Sequence, residues 1–345
     1  TSMRETRYKL NALRNGAFLA EMLFSPDDAP NIKFAADGEI KGSFSGAIIP
    51  DERFDLLRDE LQPMIFTGTG WKSLGSFRPT TPTLQGSTTG ERQQITAYDR
   101  GWILKNDRIE SRLFIAAGTN YITAAEQQLA AANIARTRII PNVSTLPADR
   151  EFEPGTTRLD IINTLMGEIV YRDVWFDGDG LAHLEPYAAP AVERIKHRYS
   201  SRNILREPMA PDYSAGTDIF SAPNVFICTC ANADRSATLT ATAVNDSPVS
   251  SKSTIRRGMR ICQQVKVNEI ADQSALDAYA KRLVTESQLS TQTVEFSTLA
   301  EAGHGVGDII AIDHPTIGGI YEETGWSLTL RAGELMKHTA KRTVL

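Results

Sequence analysis

Residues 40–48, Ile40-Lys-Gly-Ser-Phe44-Ser-Gly-Ala-Ile48, set large apolar side chains at 40, 44 and 48 among small and polar ones. Even spacing puts those side chains on one face of an extended strand, which predicts a half-buried β-strand. The alternation returns at Ile109, Leu113 and Ile115. Turn chemistry punctuates the same part of the chain, at Asp37-Gly38, Gly68-Thr69-Gly70 and Pro79–Pro82. Residues 1–116 therefore read as a first β region. Within it Asp51–Leu61 admits two readings. Phe54, Leu57 and Leu61 fit a short helix, whereas Pro50 and Pro63 bracket the segment closely enough for an extended crossing.

Past residue 116 the period changes. Thr123-Ala-Ala-Glu126 has capping-box form and precedes an alanine-rich run to Ile134. Thr157-Arg-Leu-Asp160 resembles another such box, and Leu159, Ile162, Met166 and Ile169 follow at helical spacing. Val174-Trp-Phe176 and Leu181-Ala-His-Leu184 read as two strands joined at Asp177-Gly-Asp-Gly180. Residues 117–200 thus form a small α+β insert, and 201–221, with Pro208, Pro211 and Gly216, a linker. Residues 222–345 are β again with one helix. Val225–Cys230 is nearly continuous apolar, Ala237, Leu239, Ala241 and Ala243 alternate with threonines, and a helix starting at Ser274-Ala-Leu-Asp277 buries 276, 279, 280, 283 and 284. Val294/Phe296, Ile310/Ile312 and Trp326/Leu328/Leu330 supply further strands.

Composition narrows the function. A chain of 345 residues with 41% hydrophobic residues can bury two or three domain cores. With 37 basic against 42 acidic residues the net charge is −5, which argues against general phosphate gripping. No apolar run reaches membrane-spanning length. Thr1-Ser-Met-Arg4 has no signal-peptide core and reads as a cloning remnant before Met3. Cys228, Cys230 and Cys262 form no disulfide framework; they read as reduced thiols packed like small hydrophobes.

The motifs that would carry chemistry fail on spacing. A calcium loop counted from Asp177 puts Ala188 where a bidentate Glu is required, so a tight turn is the better reading. Gly303-His-Gly-Val-Gly307 leads into a strand, where a phosphate loop would enter a helix, and His304 reads as an exposed loop residue. Gly42-Ser-Phe-Ser-Gly46 has Phe44 where a hydrolase elbow needs serine. None of the five histidines (183, 197, 304, 314, 338) sits at a metal-ligand spacing from another. Arg256, Arg257 and Arg260 make a small basic cluster, read as turn or rim charge. The expectation is a non-enzymatic protein with no catalytic, cofactor-binding or metal residues and no cofactor. A cell-wall hydrolase would need a catalytic constellation. A receptor- or carbohydrate-binding module would need clustered aromatics, and Trp71, Trp102, Trp175 and Trp326 are spread over all regions.

The order of segments resembles the tail hub proteins of tailed bacteriophages, the baseplate hub and the N-terminal part of tail-associated lysins. The residues that carry the likeness are Phe54-Asp-Leu-Leu-Arg-Asp-Glu-Leu-Gln-Pro63, Trp71-Lys-Ser-Leu-Gly-Ser-Phe77 and Thr96-Ala-Tyr-Asp99 in the first region. In the insert they are Leu159–Leu165 and Trp175–Gly180, and in the third region Ala278–Leu283, Gly307-Asp-Ile-Ile310 and Gly319-Ile-Tyr321. The resemblance implies a mainly β chain with two tube-type β-barrel domains, 1–116 and 222–345, flanking the insert. It also implies a homotrimer making a pseudo-sixfold ring between the hexameric tail tube and the tail tip of a phage or prophage virion. Its partners would be the tube or distal tail protein and tip or fibre proteins, with DNA passing unbound through the channel. It would be made in the host cytoplasm and would not insert in a membrane. Ending at Leu345, the chain reads as a dedicated hub subunit or a hub domain cut from a longer protein.

Overall fold

The computed structural model describes residues 6–25, 28–88, 90–202, 207–217, 222–230, 238–267, 272–287 and 290–344. Thr1–Arg4, Ala237, Leu345 and parts of the 201–221 segment lie outside the described residues. The chain divides into two compact units, Thr1–Tyr213 with Glu295–Ala340, and Ser214–Val294 with Lys341–Leu345.

The first β region closes into a barrel. Arg7–Arg14 turns at Asn15-Gly16, both at positive φ (52° and 78°), and pairs antiparallel with Ala17–Met22. Two residues in the left-handed region make the hairpin turn whose twist matches the strands it joins. Arg7–Arg14 also pairs with Glu60–Phe66, which carries Trp71–Ser73 on its far side. Gly42–Ile48 pairs with Gly90–Tyr98, which pairs in turn with Arg78–Pro79. Isolated bridges Phe24↔Ile48 and Leu61↔Phe77 join the two halves and complete the circuit. Alternation then sends Leu10, Ile32, Phe44, Leu61, Ile65, Phe77 and Ile95 to complete burial. Asp51–Leu61 resolves as turns leading into the strand Glu60–Phe66.

A second barrel has six strands in the order Ile309–Asp313, Ile195–Ser200, Glu207–Thr217, Ser290–Leu299, Leu335–Val344 and Gly319–Thr329, closed by the last pairing with the first. Gly319–Thr329 pairs on its other edge with Asn31–Ala35, so one sheet runs from barrel to barrel. Trp326 stacks on Phe34 at that seam, 4.8 Å between ring centroids. Glu207–Thr217, within the segment read as a linker, is thus a barrel strand.

The insert packs helices Gly101–Asn106, Tyr121–Ala131 and Arg158–Glu168 with short strands around one apolar core. Leu113–Ile115 pairs with Arg150–Phe152, and Ile115 packs in that core. The Arg158–Glu168 helix starts as its box predicts, Thr157 Oγ1 accepting from the Asp160 amide at 3.0 Å. The Tyr121–Ala131 helix starts earlier than expected. Asn120 caps it through the amides of Ile122 and Thr123, so Thr123 is already helical.

In the second unit, Val225–Cys230 pairs with Leu239–Val244 and Cys262–Lys266. Leu276 and Ala280 of the helix Gln273–Ser287 pack on Cys228, Cys230, Ala241 and Ala243. These strands pair among themselves, because the helix offers the apolar stripe their inward face needs. The helix begins from Asp272, whose carboxylate takes the Ala275 amide at 2.8 Å. Cys262, expected to be packed, is exposed on an outer strand of this sheet.

Candidate functional site

The interior of the second barrel is where ionisable side chains gather. Residues two apart share a strand face. Ile195–Ser200 turns in His197 and Tyr199, Ser290–Leu299 turns in Phe296 and Thr298, Gly319–Thr329 turns in Tyr321 and Glu323, and Leu335–Val344 turns in Met336 and His338. His304 comes from the loop before Ile309–Asp313. It is buried, not exposed as the loop reading expected, and its side chain has no solvent access. The loop tucks under because Gly303 and Gly307 take positive φ (99° and 71°) and the Gly305 amide donates to Asp308 Oδ2 at 2.7 Å.

Glu323 lies between two imidazoles. Its Oε2 accepts from His304 Nδ1 at 2.8 Å and its Oε1 from His338 Nδ1 at 2.5 Å. With Nδ1 donating, Nε2 of a neutral ring is an acceptor. The Thr298 hydroxyl donates to the neutral His338 Nε2 at 2.7 Å, whereas His304 Nε2, 3.1 Å from the Tyr199 hydroxyl, donates to it when the ring is charged. Burial alone would raise the Glu323 pKa, but the His304 charge and both imidazole hydrogen bonds outweigh it and hold the carboxyl down to about 2. Burial works against protonation of His304 too, yet Glu323 prevails and raises it. His338 is lowered by burial, with Glu323 opposing. One carboxylate thus supports one imidazolium. His197 stacks on His304, centroids 4.1 Å apart and planes within 13°. Burial, followed by the His304 charge, lowers its pKa to about 4. Its Nε2 has no hydrogen-bond partner among the described residues and lies 3.9 Å from Asp308 Oδ2.

Three sets of these side chains could hold a metal: His304/Glu323/His338, His197/His304/Asp308 and His197/Glu207/Glu301. In the first, the prospective ligand atoms are 2.5–2.8 Å apart, the separation of a shared proton. Ligands at about 2.0–2.1 Å from a tetrahedral zinc stand about 3.3 Å from each other. In the second, the parallel imidazoles cannot both point in-plane lone pairs at one ion. The geometry of these two sets suits protons. His304 and His338 are both closed to solvent at the side chain, so no substrate reaches them in this conformation.

The sequence motifs resolve as structure. Asp177 caps its turn, Oδ1 accepting from the amides of Asp179 and Leu181 and Oδ2 bonding His183 Nε2 at 2.8 Å. Asp99, from the Thr96–Asp99 segment, is buried in the first barrel and takes the Gly42 and Gly101 amides at 2.6 and 2.8 Å. Burial raises its pKa to about 7 against those bonds. Arg256 and Arg257 sit in the short helix Thr254–Arg257, where Arg257 donates to the Ala222 carbonyl. The tryptophans, scattered in sequence, do gather. Trp71, Trp175 and Trp326 line one cleft of about 420 Å³.

No family model and no curated protein sequence matches the chain. Solved structures do. A tail protein from Neisseria meningitidis MC58 superposes with a TM-score of 0.64 at 14% identity, covering 97% of each chain. The 43 kDa tail protein of prophage MuSo2 from Shewanella oneidensis gives 0.61 at 8% identity, over 97% of this chain and 98% of its own. A Francisella PdpA–VgrG complex gives 0.56 at 8% identity, over 99% of this chain and 58% of the other. From end to end, the chain has the fold of phage and prophage tail proteins.

Proposed function

We propose that the protein is a structural hub subunit of a phage or phage-derived tail. In this reading three copies form a ring that joins the hexameric tail tube to the tail tip, and DNA passes through its channel without specific binding. The observation that carries it is the likeness to tail proteins over 97% of both chains, a match of whole architecture and not of one motif. Two closed barrels per chain give three chains six barrels to set against six tube subunits. The buried histidines favour a non-enzymatic role, since a network without solvent access holds a barrel together but handles no substrate. Its place is the virion tail, and its partners are neighbouring tail proteins. Electron microscopy of isolated tails tests this: three copies per ring are expected, and any other copy number sinks the ring.

A tip-located carbohydrate-binding role is the second reading, favoured by the shared cleft of Trp71, Trp175 and Trp326. An aromatic face with a polar rim suits a sugar ring, and Trp71 is the exposed one, Trp175 and Trp326 being buried against His183 and Phe34. Saturable quenching of tryptophan fluorescence by neutral disaccharides, abolished by Trp71→Ala, would favour it, and no response would dismiss it.

A further inference from the structure

The first barrel and the insert, both within one compact unit, border another cleft, of about 600 Å³. Arg58, Arg78, Arg100 and Arg136 line it against two carboxylates, Glu60 and Asp107. Both carboxylates are engaged. Glu60 takes Arg100 through two bonds of 3.1 and 2.9 Å, and Asp107 takes Arg158 at 2.8 Å.

Arg78, Arg100 and Arg136 each donate to a carbonyl oxygen. Arg78 donates to the Leu57 carbonyl at 2.7 Å, beside Arg58. Arg100 and Arg136 donate to the adjacent carbonyls of Gly180 and Asp179, each at 3.0 Å. A carbonyl orients a guanidinium without cancelling its charge, and Arg78 and Arg136 keep most of their five N–H donors, whereas Arg100 spends three on Glu60 and Gly180. Among the described residues no carboxylate stands in ion-pair contact with Arg58, Arg78 or Arg136. On a chain of net charge −5 this leaves a local excess of positive charge, Arg58 with Arg78 and, apart from them, Arg136, with the Asp59 carboxylate acting on Arg58. Trp102, Ile103 and Ile134 add an apolar wall.

We propose that this cleft docks an extended acidic segment of a partner protein, with one carboxylate on Arg58 and Arg78, another on Arg136, and an apolar side chain against the wall. Guanidinium forks match carboxylates bidentately. Separated cations call for anionic groups spaced along a chain and not for a single ion. A nucleic-acid strand also presents spaced anions, and a base to stack on Trp102, but the chain's net charge of −5 weighs against it and the two isoleucines suit a leucine or valine side chain. The inference does not rest on the ring, and its test uses the isolated full chain, so its failure leaves the hub reading standing.

The test is fluorescence anisotropy with a labelled peptide of glutamates around a central leucine, competed by a short oligothymidylate. Saturable binding is expected, weakened about tenfold as salt rises from about 0.05 to about 0.5 M. Arg58→Glu, at an exposed side chain, should weaken it about tenfold, as should Arg78→Ala with Arg136→Ala, while Arg112→Ala leaves it unchanged. Equal binding by the Arg58→Glu protein, absence of saturable binding, or stronger binding of the oligothymidylate would each overturn the proposal.

Discussion

The two barrels have opposite fillings. The first is packed with leucine, isoleucine and phenylalanine, and its buried Asp99 serves two backbone amides. The second surrounds Glu323 with His304, His338, Thr298 and Tyr199 in one chain of hydrogen bonds. An apolar interior loses stability in proportion to what is removed. A hydrogen-bonded interior is nearly all-or-none, because each missing partner strands another buried polar group. A barrel can therefore be forgiving in one half of a chain and exacting in the other.

The largest effect should come from breaking the exacting half. Glu323→Ala leaves two buried imidazole N–H groups without an acceptor and should cost about 3–5 kcal/mol in denaturant unfolding. A loss below about 1 kcal/mol would mean that the network does not hold the barrel. Replacing the set together, His304→Phe with Glu323→Leu, His338→Phe, Tyr199→Phe and Thr298→Val, should return most of that loss, since no polar group of the network is then left unpaired. Failure to recover would show that the histidines contribute shape as well as bonds.

In the first barrel, Gly42→Ala should cost about 1–3 kcal/mol by overpacking. The added carbon would lie 2.7 Å from the Phe34 ring and 2.9 Å from Asp99 Oδ2. A neutral result would show that Phe34 yields, and would narrow the contrast between the barrels.

The smallest effect is the most discriminating, because His197 and Asp99, one in each barrel, should respond to pH with opposite sign. His197 titrates near 4 in the folded chain against about 6.5 unfolded, so its share of stability is lost as pH falls through that window. Glu323, held near 2, adds a loss below about 4.5. His304 opposes both: being raised, it contributes below about 6.5 and that share is lost as pH rises through its folded value. Asp99, raised to about 7, favours the fold at low pH and loses that share between about 3.8 and 7. Hydrogen exchange corrected for intrinsic rates, compared at pH 7 and pH 5, should show protection falling in Leu335–Val344 and holding or rising in Gly42–Ile48. A parallel fall in both would sink the contrast, and Asp99→Asn should remove the first barrel's share.

Local chemistry was legible where one short stretch determines the outcome. The 40–48 alternation, the Thr157 cap, the 174–184 hairpin and the helix after 272 all formed close to where the residues place them. Asn15-Gly16 was a further hairpin signal of the same kind, a dipeptide that favours positive φ at both turn positions. Partner choice was less legible. Val225–Cys230 and Leu239–Val244 look like barrel strands by their own pattern, yet they pair beside the Gln273–Ser287 helix, and Glu207–Thr217 becomes a barrel strand despite its prolines. The buried network left no trace at all in spacing. His197, His304, Glu323 and His338 come from four separate segments, and no interval between them marks a shared site.

By itself, then, the sequence determined the β alternation, the helical insert, the acidic balance and the order of segments that resembles tail hubs, because each depends on neighbours within a turn or a strand. Only the tertiary structure decided which strands close which barrel, that His304 is buried, and that four arginines and three tryptophans each come together in a cleft. Those outcomes depend on contacts between residues far apart in the chain, where burial and charge are settled by what packs opposite and not by what stands alongside.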